Sequence, residues 1–214
     1  MRSIALIDYG SGNLRSAEKA LLKANQALGE PCAIHTTADP DIVANADGVV
    51  LPGVGAFAAC MAGVRSKPGL PEALNRAVRE RGAAFLGICV GMQLLATSGK
   101  EFGETLGLDW IGGEVRRLSV AEHAFKIPHM GWNALENVID HPVFAGINDG
   151  DHMYFTHSFA LFPQDERDIA AVTDHGGRFP IAVARGNIAG VQFHPEKSQA
   201  AGLKLLANFL EWRP

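Results

Sequence analysis

Long apolar runs, blocks of like charge and clustered cysteines are all absent from this chain of 214 residues. The net charge is −4, so nothing indicates a nucleic-acid-binding face or an anchor to an anionic membrane. No apolar stretch approaches the roughly 20 residues that a membrane-spanning helix needs. The run Met1–Asp8 is too short, and Arg2 too early a charge, to indicate a signal peptide.

Cysteine is scarce, with Cys32, Cys60 and Cys89 far apart and no C-x-x-C pair. This excludes a disulfide scaffold and a zinc ribbon. No N-x-S/T glycosylation site is present, and no histidine cluster has metal-ligand spacing. We therefore expect a reduced, cytoplasmic protein that needs neither a metal nor another cofactor.

Alternating strand and helix patterns are what the chain does contain, with 47% hydrophobic residues to build a core. They predict a single domain over residues 1–214 of the α/β class, with a central, mostly parallel sheet flanked by helices. The middle third predicts an additional antiparallel β portion. The predicted strands are Ser3–Ile7, Ala33–Thr36, Asp47–Leu51, Ala84–Ile88, Trp110–Leu118, Lys126–Leu135, His152–Leu161, Ile169–Thr173, Pro180–Ala184 and Ile188–Phe193. The predicted helices are Leu14–Leu28, Pro71–Arg81, a segment that starts at Val90, and Gln199–Trp212.

The stretch A-A-F-L-G-I-C-V-G-M-Q-L-L-A, residues 83–96, predicts a buried strand that turns at Cys89 directly into a helix. Gly87 and Gly91 flank the cysteine, and small neighbours make room for such a sharp turn, a nucleophile elbow. A sulfur at a helix N-terminus is favoured as the thiolate. Free cysteine is also a common core residue, so the frame becomes a catalytic hypothesis only with a base.

Two glycine-rich turns follow predicted strands near the start of the chain. Gly53 and Gly55 follow Leu51 in P-G-V-G, where backbone N–H groups can point at a ligand, although a tight strand-to-helix turn explains the pattern equally well. The earlier turn G-S-G-N lacks the third glycine of a dinucleotide-binding loop and is more typical of a loop that presents Asn13 and Arg15.

The candidate base is His194, which follows a buried strand and precedes Pro195 and Glu196. Proline holds the preceding residue extended, and residues two apart in an extended segment lean to the same side. Glu196 can therefore orient His194 while the imidazole faces Cys89, which is the logic of a catalytic triad. Alone, His-Pro-Glu also suits a simple strand-ending turn.

These motifs carry a family resemblance. G-I-C-V-G-M-Q and H-P-E resemble the nucleophile and the base of class I glutamine amidotransferases. Within that class, the chain resembles the glutaminase subunits of imidazole glycerol phosphate synthases over its whole length. The motifs that carry this second resemblance are I-D-Y-G-S-G-N-L-R-S, L-P-G-V-G-A-F, K-I-P-H-M-G-W-N, Y-F-T-H-S-F and Q-F-H-P-E-K-S-Q-x-x-G-L-K-L-L-x-N-F.

The resemblance implies roles for further residues. The N–H groups of Val54 and Val90 would hold the oxyanion that forms when Cys89 attacks L-glutamine. The substrate itself would contact Gly53, Gly55, Gln93, His157, Ser158 and Phe159.

A partner is implied as well, namely a cyclase subunit with a (β/α)8 barrel in a heterodimer. It would use the ammonia to convert a phosphoribulosyl-formimino nucleotide (PRFAR) into imidazole glycerol phosphate and AICAR in histidine biosynthesis. The residues that resemble the partner interface are Asn13, Arg15, Trp132, Tyr154 and Lys197. From the residues alone, K-I-P-H-M-G-W-N suits a core turn and an interface anchor equally well.

Three other functions remain open at this point. A glutaminase for pyridoxal phosphate or anthranilate synthesis would share Cys89, His194 and Glu196. A free-standing cysteine hydrolase would turn over substrate without a partner. A non-catalytic, doubly wound binding subunit would not react rapidly with an electrophilic glutamine analogue.

Overall fold

A seven-stranded sheet lies at the centre of this computed structural model, which describes residues 1–120 and 125–214. The strands are β1 Ser3–Ile7, β2 Ala33–Thr37, β3 Gly48–Gly53, β4 Ala84–Cys89, β5 Ser98–Gly99, β6 Thr105–Leu106, β7 Gly113–Arg117, β8 His129–Ala134, β9 His152–His157, β10 Phe159–Pro163, β11 Ile169–Asp174, β12 Arg178–Arg185 and β13 Ile188–Val191. The helices are α1 Leu14–Gln26, α2 Pro40–Asn45, α3 Phe57–Ser66, α4 Leu70–Asn75, α5 Val90–Gln93 and α6 Gln199–Glu211.

The order of strands in the large sheet is β11-β12-β13-β4-β3-β1-β2. The five strands from β13 to β2 pair in parallel, whereas β12 runs antiparallel to both of its neighbours. A four-stranded sheet, β10-β7-β5-β6, and the antiparallel pair β8-β9 form the additional β portion. This arrangement confirms the predicted fold class, and it brings the ends of β3, β4 and β13 side by side.

The core lies on both faces of the large sheet. Strands β3 and β4 are buried at every residue, and α1 packs against α6 on one face. Cys32 and Cys60 are buried among these apolar side chains, as is typical of structural cysteines. Among the described residues, no helix is both long enough and apolar enough to cross a membrane.

Two helices outside the predicted set complete the alternation of strands and helices, and the second follows the P-G-V-G turn, where a strand-to-helix turn was the open alternative. Helix α2 connects β2 to β3, and α3 follows the P-G-V-G turn. A start signal for α2 is present, because Asp39 Oδ1 accepts hydrogen bonds from the N–H groups of Asp41 and Ile42, and Pro40 occupies the first turn.

Other predicted elements differ in their bounds. The predicted strand His152–Leu161 is two strands in different sheets, since Ser158 interrupts it between β9 and β10. The helix predicted over Pro71–Arg81 begins at Leu70 as α4 and continues as a π-helical turn over Arg76–Glu80.

Candidate active site

Cys89 occupies a strained turn at the end of β4. Its φ of 55° and ψ of −113° lie outside the regions that side chains favour, and α5 begins at the next residue. A Cβ atom on Gly91 would lie 1.8 Å from the carbonyl oxygen of Leu51, and one on Gly87 would lie 2.5 Å from that of Gly91. Gly91 therefore lets the turn pack directly against the backbone of β3, and Gly87 lets α5 fold back closely onto β4.

His194 follows β13, which is the neighbour of β4 in the sheet. Its Nδ1 lies 2.8 Å from Oε1 of Glu196, and both side chains are buried. A carboxylate only accepts, so Nδ1 carries the proton in this bond. The backbone N–H of His194 donates to the carbonyl of Tyr154 at 2.9 Å, which joins the loop after β13 to β9.

The electrostatic surroundings favour a protonated His194. Burial alone would lower its pKa, but hydrogen bonding and charge interactions with Cys89 and Glu196 outweigh burial and raise the pKa to about 9. Nε2 is buried and forms no hydrogen bond of ordinary geometry with the described residues. Because Nδ1 is engaged with Glu196, Nε2 is the nitrogen that remains available for proton transfer.

Cys89 and His194 open onto one cavity of about 350 Å³. Its lining residues come from the ends of β3 and β4, from the junction of β9 with β10, and from loops. They are Val54, Gly55, Cys89, Val90, Gln93, Glu101, Pro128, Thr156, His157, Ser158, Phe159, His194 and Lys197. Among them are both predicted oxyanion donors and all but one of the predicted glutamine contacts.

Gly53, the remaining predicted contact, is not among the residues that line this cavity. A Cβ atom there would lie 2.8 Å from the backbone nitrogen of Gly91, so this glycine lets the P-G-V-G loop approach the elbow. The hydroxyl of Tyr9 donates to the carbonyl of Pro52 at 2.8 Å, and the hydroxyl of Ser11 donates to that of Val54 at 2.9 Å. Side chains from the loop after β1 therefore hold the P-G-V-G loop on both sides of Gly53.

An imidazole network borders the cavity at His157 and Phe159. We use this name for Asn133, His129, His157 and the carbonyl of Phe159. Nδ1 of His157 donates to that carbonyl at 2.9 Å, which leaves its Nε2 to accept from Nδ1 of His129 at 3.0 Å. Nε2 of His129 then accepts from the Asn133 amide at 3.2 Å. The chain of bonds is complete only while both imidazoles are neutral.

The pKa values of the two histidines agree with that requirement. Burial is the main cause that lowers the pKa of His129 to about 3 and that of His157 to about 4. Both side chains therefore stay uncharged at neutral pH.

Three of the predicted interface residues lie together. Trp132 meets Tyr154 edge-on with ring centroids 6.0 Å apart, and Nζ of Lys197 lies 5.4 Å from the centre of the Tyr154 ring. Trp132 is 46% exposed. Asn13 precedes α1 and lines a small cavity with His194 and Glu196, whereas Arg15 is exposed in the first turn of α1.

Several residues near the site were not predicted from the sequence. Gln192 is fully buried, with its Nε2 3.6 Å from the sulfur of Cys89. It stands two residues before His194, so the alternation of an extended segment could have placed both on the same side. Glu101, which accepts from the N–H of Phe57 at 2.8 Å, and Thr156 line the cavity without any local signal.

No group of three or more His, Cys, Asp or Glu side chains within residues 1–120 and 125–214 is arranged to hold a metal ion.

Curated relatives match the chain over its full length. It is 62% identical over 214 residues to imidazole glycerol phosphate synthase subunit HisH of Caulobacter vibrioides, with 100% of both chains covered. It is 53% identical over 212 residues to the protein of the same name from Rhodospirillum rubrum, with 99% of each chain covered.

Solved structures share the fold at low sequence identity. One crystal structure of a glutamine amidotransferase has a TM-score of 0.70 at 20% identity and covers 97% of both chains. A glutamine amidotransferase from Thermotoga maritima has a TM-score of 0.59 at 17% identity and covers 91% of this chain and 76% of that one.

The family model for class I glutamine amidotransferases matches residues 5–212. With a family match over nearly the whole chain and relatives above 50% identity, this chain belongs to the class I glutamine amidotransferase family.

Proposed function

We propose that this chain is the glutaminase subunit of an imidazole glycerol phosphate synthase, and that residues 1–214 act as one domain. It hydrolyses L-glutamine to glutamate and ammonia and passes the ammonia to a second subunit. The observation that carries the proposal is that Cys89 and His194 line one cavity while Glu196 holds His194 at 2.8 Å. The shared name of the full-length relatives supports the choice of this synthase.

The first chemical step is attack by the Cys89 thiolate on the side-chain amide carbon of glutamine. A C–S bond forms, and the carbonyl π electrons move to oxygen. The N–H groups of Val90 and Val54 hold this oxyanion, since both residues line the cavity together with Cys89. Losing one such donor typically costs about 10²–10³ in rate.

His194 moves the protons of the reaction. Its Nε2 proton goes to the departing nitrogen, which leaves as ammonia when the C–N bond breaks and the γ-glutamyl thioester forms. The neutral imidazole then takes a proton from water, which attacks the thioester and releases glutamate and the thiolate. Throughout, Glu196 keeps Nδ1 protonated and Nε2 directed at the reaction.

The substrate lies between the elbow and the junction of β9 with β10. It contacts Gln93 on α5 and also His157, Ser158 and Phe159, which line the same cavity. Gly53 and Gly55 permit the close approach of backbone to substrate.

The partner is a cyclase subunit with a (β/α)8 barrel. It uses the ammonia to convert PRFAR into imidazole glycerol phosphate and AICAR. Trp132, Tyr154 and Lys197 form an exposed aromatic and cationic cluster of the kind that anchors protein interfaces. Asn13 and Arg15, at the start of α1, belong to the same interface. A closed interface keeps ammonia from being lost to solvent.

Replacement of Cys89 by Ala tests the division of labour between the subunits. The variant is mixed with the cyclase subunit of the same organism, and formation of imidazole glycerol phosphate is measured. Glutamine-dependent synthesis should fall to background, whereas synthesis supported by an added ammonium salt should continue at the wild-type rate.

Cys32→Ala is the matched control, because Cys32 is a buried free cysteine of the core. It should retain synthesis from both nitrogen sources. The proposal fails if Cys89→Ala still uses glutamine, or if it also loses the ammonium-supported reaction while remaining folded and bound to the partner.

A further inference from the structure

We propose that Gln192 is a positioning residue that donates a hydrogen bond to the sulfur of Cys89 and fixes the side-chain amide of Gln93 with its oxygen toward the substrate. This inference rests on the glutaminase function proposed above and extends it to a residue outside the triad.

The place of Gln192 in the fold is rigid. It directly follows β13, is fully buried, and its backbone N–H donates to the carbonyl of Ile181 at 2.8 Å. Its side chain therefore lies next to the end of β4, where Cys89 ends the neighbouring strand. The geometry leaves the amide little freedom to turn away.

The hydrogen bonds of Gln192 fix which end of its amide faces the sulfur. Its Nε2 lies 3.6 Å from Sγ of Cys89, and its Oε1 lies 3.0 Å from Nε2 of Gln93. A thiolate can only accept, and the amide nitrogen of Gln93 can only donate. Both contacts are satisfied together only with the Gln192 nitrogen toward the sulfur. The negative charge of the nucleophile thus has a buried neutral donor in addition to His194.

Gln93 is oriented by the same set of bonds. Its Nε2 carries two hydrogens, which go to Oε1 of Gln192 and to the carbonyl of Phe159 at 2.9 Å. Because the carbonyl also accepts from His157, it is held in place from the other side. The oxygen of Gln93 then remains for the cavity that Gln93 lines, where it can accept a hydrogen bond from an N–H group of glutamine.

A glutamate side chain offers no such N–H group when ionised. The orientation of Gln93 therefore also favours the substrate over the product if its oxygen meets the side-chain amide. Without Gln192, the side-chain amide of Gln93 could rotate and present either its oxygen or its nitrogen to the substrate.

Several ionisable groups face the same sulfur, and the experiment must separate Gln192 from them. His194 and Tyr9 act on Cys89 from the loops after β13 and β1, as the pKa values of both respond to this thiol. Within the cavity the further ionisable side chains are Glu101, His157 and Lys197. All of them are unchanged in a Gln192 variant, so a difference from wild type reports on the amide.

The test is the pH dependence of Cys89 alkylation by iodoacetamide in the full chain, followed by mass spectrometry of the Cys89 peptide. Gln192→Met keeps the length of the side chain and removes its donor and acceptor. The pH of half-maximal alkylation should rise by about one unit, and alkylation below that pH should slow about tenfold. In the complex, the KM for glutamine should also rise several-fold, while ammonium-supported synthesis stays unchanged.

Asn208→Leu is the matched control, because it removes a buried amide that bonds the carbonyls of Val143 and Ala145 from α6. It should lower the melting temperature without moving the alkylation profile. Gln192→Leu is the second variant should Gln192→Met fail to fold; it removes the donor to the sulfur without adding a charge, so the pH of half-maximal alkylation should rise here too.

An alkylation profile that matches wild type in a folded Gln192 variant would overturn the inference, since Gln192 would then be only a satisfied core amide. Alkylation requires no glutamine turnover. Failure of this inference is therefore distinct from failure of the proposed function, which Cys89→Ala decides.

Discussion

Two parts of the cavity wall, the nucleophile elbow and the imidazole network, are held by different kinds of interaction. The nucleophile elbow, residues 84–93, is fixed by backbone packing so close that Gly87 and Gly91 have no room for a Cβ atom. The imidazole network is fixed by side-chain hydrogen bonds through His129 and His157. The elbow therefore depends on the absence of side chains, and the network depends on the protonation state of side chains that are present.

This difference predicts different sensitivities. Substitution of a glycine should damage the elbow at any pH, because steric overlap does not titrate. Acid should damage the network in the unmodified protein, because a protonated imidazole cannot accept its hydrogen bond. Three measurements test the contrast.

The largest effect is expected for Gly91→Ala, whose new methyl group would meet the Leu51 carbonyl at 1.8 Å. We expect a loss of about 3 kcal/mol or more in the free energy of unfolding, measured by urea denaturation. Labelling of Cys89 by an electrophilic glutamine analogue should be lost as well.

Gly29→Ala provides the control, as a Cβ atom there meets nothing within 4 Å. Its free energy of unfolding should stay within about 0.5 kcal/mol of wild type. Equal stabilities of the two variants would contradict the steric account of the elbow.

The next effect concerns the imidazole network. The pKa values of His129 and His157 are lowered from 6.5 to about 3 and about 4, so their contribution to stability is present above pH 6.5 and is lost as the pH falls toward those values. Each histidine should contribute a loss of about 2 kcal/mol between pH 7 and pH 5.

His129→Phe removes one of the two groups. Its loss of stability from pH 7 to pH 5 should be about 2 kcal/mol smaller than that of wild type, whatever its stability at pH 7. Replacement of the exposed His35 by Asn should leave the loss of stability between pH 7 and pH 5 the same as in wild type. Parallel pH curves for His129→Phe and wild type would rule out the network as the acid-sensitive part.

The smallest effect is expected for the titration of His194, whose backbone N–H bonds the carbonyl of Tyr154 in β9. Its pKa of about 9 lies above the usual 6.5, so the imidazolium is present below pH 9 and is lost as the pH rises through that value. Because the Glu196 carboxylate contributes to this shift, Glu196→Gln should lower the titration midpoint of His194 by about one unit, measured by NMR of the imidazole nitrogens.

Glu101→Gln changes a carboxylate that lines the same cavity and bonds the N–H of Phe57 instead. Its His194 midpoint should stay close to 9. A midpoint unchanged in Glu196→Gln would mean that the Cys89 thiol alone holds the proton on His194.

Much of the site was predictable because its signals are local. The Gly87–Cys89–Gly91 frame and the His194-Pro195-Glu196 sequence each encode their own geometry within a few residues. That both fall at one cavity follows from the parallel sheet, since carboxyl ends of neighbouring strands meet at one edge. The fold class was also predictable from local signals, because the strand and helix patterns that alternate along the chain are each contained within one segment.

The residues that the sequence did not reveal form their contacts with residues far away in the sequence. His129 bonds His157, 28 positions away, and Gln192 reaches Cys89, 103 positions away, so neither contact has a local pattern. The break at Ser158 was hidden because no glycine or proline stands next to it and strand-forming residues continue on both sides. Helix α2 was missed despite its Asp39-Pro40 start, since only Val43 and Ala44 of its six residues are buried and the apolar periodicity is weak.

The position of β13 also bears on the synthesis of the protein. Strands β1 to β4 are complete once residue 89 has been made, whereas the strand that delivers His194 inserts beside β4 about one hundred residues later. A growing chain can therefore assemble the elbow long before it holds the base. Until β13 is in place, the nucleophile has no imidazole to take or return a proton, so an unfinished chain cannot consume glutamine.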